Sequence, residues 1–174
     1  MREYGFNKKF RKSEESIPFA IVKMDEYFKT KFIKSTTELD KQGSDINNGD
    51  LHIDVKANEY PDDNYIAEWE IKHKDGRITK GNTVDSKKIT NYVLWICTNK
   101  SYLFDYDKLR SNFIAMQQKV KDKYGIVKTG SDSWYANLTK VPMRQMSKFI
   151  VAEFDFTTGD CYDYYDENML FLGL

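Results

Sequence analysis

The chain has 174 residues, a formal net charge of zero, 40% hydrophobic and 31% charged residues. That length suits one domain with a core of its own, and that composition excludes an intrinsically disordered chain. No run approaches the roughly 20 apolar residues of a membrane-spanning helix, and the Met1 end is polar rather than a secretory leader, so a cytoplasmic protein without a membrane partner is expected.

From Ile17 onward, Ile17, Ala20, Ile21, Met24, Tyr27, Phe28 and Phe32 recur at threes and fours, which predicts an amphipathic helix. Ser16 is its expected N-cap, and Pro18 falls where a first turn has no use for an N–H. Residues 36–50 contain Gly43, Asn47, Asn48 and Gly49, which predicts turns with room for a short strand around 44–46. Leu51, Ile53 and Val55 then alternate with His52, Asp54 and Lys56, the period of a strand, so Asp54 and Lys56 project together.

A second strand is expected over 65–73, followed by a turn at Asp75 and Gly76. Residues 92–98 are the most apolar stretch and predict a central strand in which Cys97 is a buried small hydrophobe. A further strand is expected over 101–106. Leu109, Phe113, Met116 and Val120 predict a helix over 107–121, with Asp107 as its cap. A strand over 134–138 and a short helix over 141–151, opened by Pro142, complete the core. The expected architecture is a single α/β domain over 1–174: a central mixed β-sheet flanked by helices, with its core at about 17–151 and an acidic, aromatic extension over 152–174. Cys97 and Cys161 have no CxxC spacing and no histidine cluster beside them, so no zinc site and a reducing compartment are expected.

Charge is unevenly spread. Lys and Arg counted against Asp and Glu give about −8 over 35–70 and about +7 over 108–148. Carboxylates that hold a metal between basic flanks that meet phosphates produce such a pattern.

Asp45, Asp54 and Lys56 are the residues to which chemistry points. Phosphodiester hydrolysis needs an activated water, a counter-charge for the phosphoryl oxygens and help for the leaving oxygen, and carboxylate-bound Mg²⁺ supplies all three. A lysine beside it orients the water and offsets charge. A turn joining two paired strands can bring Asp45 to Asp54, and Asp54 already shares a strand face with Lys56. Ordinary alternatives are a turn cap for Asp45 and Asp40 and a solvated strand face for Asp54 and Lys56.

The layout of Asp40-Lys41-Gln42-Gly43-Ser44-Asp45 followed by Leu51-His52-Ile53-Asp54-Val55-Lys56 resembles the PD-(D/E)XK superfamily of restriction-endonuclease-like nucleases. Ile66-Ala67-Glu68, a Gly81 loop, the run from Thr90 to Trp95 and Val141-Pro142-Met143 resemble later segments of its phage-type members. The resemblance implies a restriction-endonuclease-like fold and an Mg²⁺- or Mn²⁺-dependent nuclease acting on DNA in repair, recombination or phage and host conflict, in a prokaryotic cell or a phage-infected host. It implies Asp45, Asp54 and the Val55 carbonyl as metal ligands, Lys56 as the water-positioning residue and Glu68 as an additional acid. Ser44 stands where the family often has proline, and the acid often supplied by the first helix falls to Glu14, Glu15 or Glu26.

Glu68, Glu70 and Lys72 form a second acid-x-acid-x-lysine strand, which is the internal rival, with Asp54 then taking the upstream position. Lys87, Lys88, Arg110, Lys140 and Arg144 are candidates to line a DNA groove, and Tyr102, Tyr106, Trp134 and Tyr135 to stack on bases. Nucleases that cut both strands are often dimers, so a homodimer is one arrangement the resemblance allows. The alternative function is a binding protein that keeps the nuclease fold without catalysis, such as a phage inhibitor of a host defence complex. Its partner would meet the acidic segment from Glu153 to Glu167.

Overall fold

The structure, a computed structural model, describes residues 6–57, 64–97, 100–155 and 159–163. In chain order come α1 (Phe6–Phe28), β1 (Ile33–Lys34), α2 (Thr37–Lys41), β2 (Ile46–Asn47), β3 (His52–Ala57), β4 (Asn64–His73), β5 (Ile78–Lys80) and β6 (Tyr92–Ile96). They are followed by β7 (Lys100–Asp105), α3 (Tyr106–Tyr124), β8 (Val127–Ser131), β9 (Trp134–Pro142), β10 (Ile150–Asp155) and β11 (Cys161–Asp163). The chain is mixed α/β and divides into two compact units. None of the described helices is long and apolar enough to cross a membrane.

The first unit lies within Met1–Pro61, Lys88–Phe104 and Val151–Tyr165 and is built on a seven-stranded sheet in the order β1-β2-β3-β6-β7-β10-β11. β1 with β2 and β2 with β3 are antiparallel, whereas β3 and β6 are parallel, with Asp54 opposite Val93 and Lys56 opposite Trp95. The sheet is therefore mixed. Ile17, Ala20 and Met24 of α1 are buried with Ile46, Ile53, Val55, Leu94, Leu103, Ala152 and Phe154. Burying a side chain of this size contributes about 1.5–3 kcal/mol, so packing of this stripe holds the helix more firmly than its propensity does.

Two local expectations are corrected here. The helix α1 begins well before Ser16, so Ser16 does not cap it and Pro18 lies inside. An interior proline removes one hydrogen bond of the ladder and crowds the preceding turn, a cost offset by the burial of Ile17 and Ala20 beside it. The stretch expected to be turns also holds α2, capped by the Thr36 hydroxyl, which accepts from the Leu39 N–H at 3.4 Å.

The second unit lies within Asp62–Lys87 and Asp105–Ile150 and carries an antiparallel sheet in the order β5-β4-β9-β8. Tyr65, Ala67 and Trp69 are buried on one face of β4. Phe113 of α3 packs on Tyr65 and Trp69 with ring centres 5.8 and 5.6 Å away. The cap of α3 is Asp105 rather than Asp107: its carboxylate accepts from the Lys108 N–H at 3.0 Å. The helix expected over 141–151 is instead two 3₁₀ turns, Met143–Gln145 and Ser147–Phe149. Met143, Met146 and Phe149 are all buried, and a spacing of three matches the 3.0-residue turn of a 3₁₀ helix.

Candidate metal centre

The site begins with a ladder that runs out of backbone. β2 pairs with β3 through Ile46 and Ile53, and the next hydrogen bond goes from the Asp45 N–H to the Ile53 carbonyl at 2.9 Å. One step further, the partner of the Val55 N–H is a side chain: Asp45 Oδ2 accepts from it at 2.6 Å. The N–H and C=O of one strand residue project to the same side, so the Val55 carbonyl is directed to the side on which Asp45 lies.

Ahead of Asp45, Ser44 is fully buried, with its Oγ 3.0 Å from Ser35 Oγ and 3.1 Å from His52 Nδ1. Asn47 Nδ2 donates to the same Ser35 hydroxyl at 2.7 Å. These bonds hold the turn that aims Asp45 at β3.

Asp54 and Lys56 leave β3 on one side, as strand alternation requires, but that side is no solvated face. Asp54 is only 3% exposed. Lys56 Nζ pairs with Asp54 Oδ1, and Lys88 Nζ lies 3.3 Å from Asp54 Oδ2. Lys88 was an expected groove residue; it belongs to this cluster, with a side chain just 12% exposed. The glycine in the segment before Asp45 makes room for it. Gly43 has φ +88°, and a Cβ there would meet Thr90 Oγ1 at 2.7 Å and Lys88 Cδ at 2.8 Å. The Thr90 hydroxyl in turn donates to the Gly43 carbonyl at 2.5 Å.

The two carboxyls interact, and their affinities for a proton are driven apart. Burial pushes the Asp45 carboxyl up to about 8; the Lys56 ammonium and the Val55 N–H pull against this, and the neighbouring Asp54 charge adds to it. Burial acts on Asp54 in the same sense, but the Lys56 and Lys88 ammonium groups and the hydrogen bonds from Lys56 and Asp45 outweigh it and hold Asp54 below the ordinary carboxylate value. At neutral pH the proton sits on Asp45, and one carboxylate faces two ammonium groups.

The other expected site residues either have partners of their own or are exposed. Glu68, in the second unit, accepts from the Asn82 N–H through Oε1 at 3.0 Å, and Gly81 packs against its backbone so closely that a Cβ would lie 2.4 Å from the Glu68 carbonyl. Glu70 and Lys72 pair with each other at 3.4 Å, and Glu70 also accepts from Asn137 Nδ2 at 2.6 Å. Arg110 pairs with Asp107 at 2.9 Å, while Lys87, Lys140 and Arg144 are exposed. Tyr102 and Tyr106 are buried, and the Tyr106 hydroxyl is engaged with the Asn82 and Asp85 carbonyls, so neither presents a ring to a base. Trp134 is half-buried and Tyr135 exposed.

Of the candidate helix acids, Glu15 is exposed and Glu26 pairs with Lys23 at 3.0 Å, while the side chain of Glu14 lies outside the described residues. Cys97 is half-buried just after β6, not buried within a strand, and Cys161 is exposed. In the acidic segment, Glu153 is a buried residue of β10 paired with Lys100, and Asp166 and Glu167 lie outside the described residues. Among the described residues, no three His, Cys, Asp or Glu side chains gather into a metal-binding group, so protein ligation at this centre would rest on two carboxylates and a backbone carbonyl. Comparison with protein-family models, with curated proteins and with solved structures finds no match to the chain.

Proposed function

We propose that the chain is a divalent-metal-dependent nuclease of the restriction-endonuclease-like type, hydrolysing DNA phosphodiester bonds at Asp45, Asp54 and Lys56. The observation that carries this reading is the joined carboxyl pair: Asp45 locked to the Val55 amide and hydrogen-bonded to Asp54, with a lysine two residues further along β3. This donor set is all oxygen and fits Mg²⁺ or Mn²⁺, because a hard ion of that kind keeps several waters and needs one or two carboxylates from the protein. Asp45, Asp54 and the Val55 carbonyl would hold it, and Asp45 gives up its proton for that purpose. When bound, the ion supplies an activated water and polarises a phosphoryl oxygen.

The chain's own groups do the rest. Lys56 orients the attacking water and offsets charge at the phosphoryl oxygens, and burial of Asp54 strengthens each of these interactions by lowering the local dielectric. One carboxylate facing two ammonium groups also suits a polyanionic substrate. The antiparallel β2 and β3, with β6 parallel beside them, are compatible with the restriction-endonuclease-like reading of the fold. The test is incubation with linear, supercoiled, branched and single-stranded DNA in Mg²⁺ or Mn²⁺. Cleavage that disappears in Asp54→Asn is expected, and intact DNA in every case sinks the proposal.

One observation favours a second reading, a nuclease-fold binding protein without catalysis: both oxygens of Asp54 already hold ammonium groups. Under that reading, the fully folded protein binds neither Mn²⁺ nor Mg²⁺, and capture of a protein partner survives Asp54→Asn.

A further inference from the structure

We propose that Lys88 is the exchangeable counter-cation of this centre: its ammonium holds Asp54 Oδ2 until a divalent ion takes that oxygen, and it then serves the phosphate of the bound strand. This rests on the metal-centre reading given above. Asp54 has Lys56 on Oδ1 and Lys88 on Oδ2, so an ion that binds this carboxylate meets the repulsion of both ammonium groups and competes with one of them for its oxygen.

The two lysines are not equally placed to yield. Lys56 starts two residues away on the same strand, so the base of its side chain stays on the side of Asp54. Lys88 arrives from the irregular segment between β5 and β6, 34 residues away in the chain. Its 3.3 Å contact is longer than the roughly 2.7–2.9 Å of a strong ammonium–carboxylate hydrogen bond.

Lys88 is also held in place by design of the backbone around it. Its stem lies over Gly43, where any Cβ would collide with it, and the neighbouring Thr90 is tied to the Gly43 carbonyl. The ammonium therefore stays at the centre after it leaves Asp54. A largely buried cation that loses its carboxylate requires another anion, and a phosphodiester oxygen supplies one. Lys88 is thus a positioning residue for the metal and a contact for the substrate, and Gly43 is required by its seat.

The experiment measures Mn²⁺ binding at fixed pH by the electron paramagnetic resonance signal of the free ion, with no turnover involved. Lys88→Met keeps the stem and drops the ammonium; Lys88→Gln is a second variant in case the first does not fold, and Lys74→Met, at an exposed position, is the control. Circular dichroism establishes folding. Both Lys88 variants are expected to bind Mn²⁺ at least about tenfold more tightly than the wild type, because a unit positive charge close to the ion is gone. Lys74→Met leaves the affinity unchanged. DNA cleavage at saturating Mn²⁺ falls at least about tenfold in the Lys88 variants, a split between metal affinity and turnover that loss of structure does not produce.

Mn²⁺ binding by the wild type with unchanged or weaker binding in the folded Lys88 variants overturns the proposal and leaves the metal-centre reading standing. Tighter Mn²⁺ with undiminished cleavage overturns the phosphate role alone. No Mn²⁺ on the wild type or on either variant overturns both readings.

Discussion

β3 and β4 carry nearly the same letters, an acid two residues before a lysine, and make different things of them. On β3, Asp54 is 3% exposed and meets a second lysine from a distant segment as well as Asp45 from the preceding turn. On β4, the side chains of Glu70 and Lys72 are 33% and 36% exposed and pair with each other across 3.4 Å. A charged pair of the second kind has water as an alternative partner for each member, and pairs of that sort contribute little. On β3 the Lys56 side chain is also 33% exposed, but Asp54 is closed off from water, so its charge depends on the two ammonium groups and on Asp45. The acid-x-lysine pattern alone therefore does not decide how its charges are held; the segments that cover it do.

The largest expected effect breaks that dependence. Asp54→Ala leaves the largely buried Lys88, and the partly exposed Lys56, without their carboxylate and should cost about 3 kcal/mol in urea unfolding, with loss of cleavage. Glu70→Ala, the matching change on β4, should cost less than about 1 kcal/mol. Equal losses from the two would show that burial does not separate the strands.

How much of this could be read from residues alone follows from the range of each interaction. The strand β3 and the shared side of Asp54 and Lys56 rest on alternation over six residues, a local property that tertiary packing did not override. The placing of Asp45 needed one turn and is also written locally. Lys88 has no local signal, since its contact with Asp54 depends on how the chain returns before β6; the only trace is Gly43, a glycine whose need for space is visible once Lys88 is beside it. The cap of α3 was misread because Asp105 and Asp107 are equally good capping residues, and what decides between them is the burial of Tyr106 as the first helical residue. Pro18 gives a first-turn signal locally, but α1 extends well ahead of it and makes it an interior residue. The acidic segment was read by composition, which did not reveal that Lys100 receives Glu153.

A smaller effect separates the two strands by pH. In the folded protein Asp45 has a value of about 8, above its ordinary 3.8, so the folded state binds the proton more tightly. Its contribution to stability is full below about pH 4 and is lost as pH rises toward 8. Asp54, held low, acts in the opposite sense and loses its contribution only as the solution becomes more acidic than its ordinary value. Between pH 5 and 9 the change should therefore come from Asp45. Asp45→Asn removes the titration, so its melting temperature should gain on that of the wild type as pH rises from 5 toward 8 and the difference should level off above that. Parallel curves for the two proteins across that window would exclude a raised Asp45 carboxyl. No such dependence is expected from Glu70→Gln.

The smallest effect concerns Glu68, which the family resemblance places at the centre and whose carboxylate is engaged with the Asn82 N–H. Glu68→Gln keeps an acceptor oxygen for that N–H and should change stability by less than about 0.5 kcal/mol, while Glu68→Ala leaves the amide without its partner and should cost about 1 kcal/mol. If holding the turn at Asn82 is all that Glu68 does, Mn²⁺ affinity and cleavage are unchanged in Glu68→Gln. A tenfold fall in either, with unfolding midpoints equal to the wild type, would instead give Glu68 a charge-dependent part in the chemistry. It would also mean that an acid of β4 can contribute without the dense covering seen around Asp54, and the contrast between the two strands would then lie in their lysines.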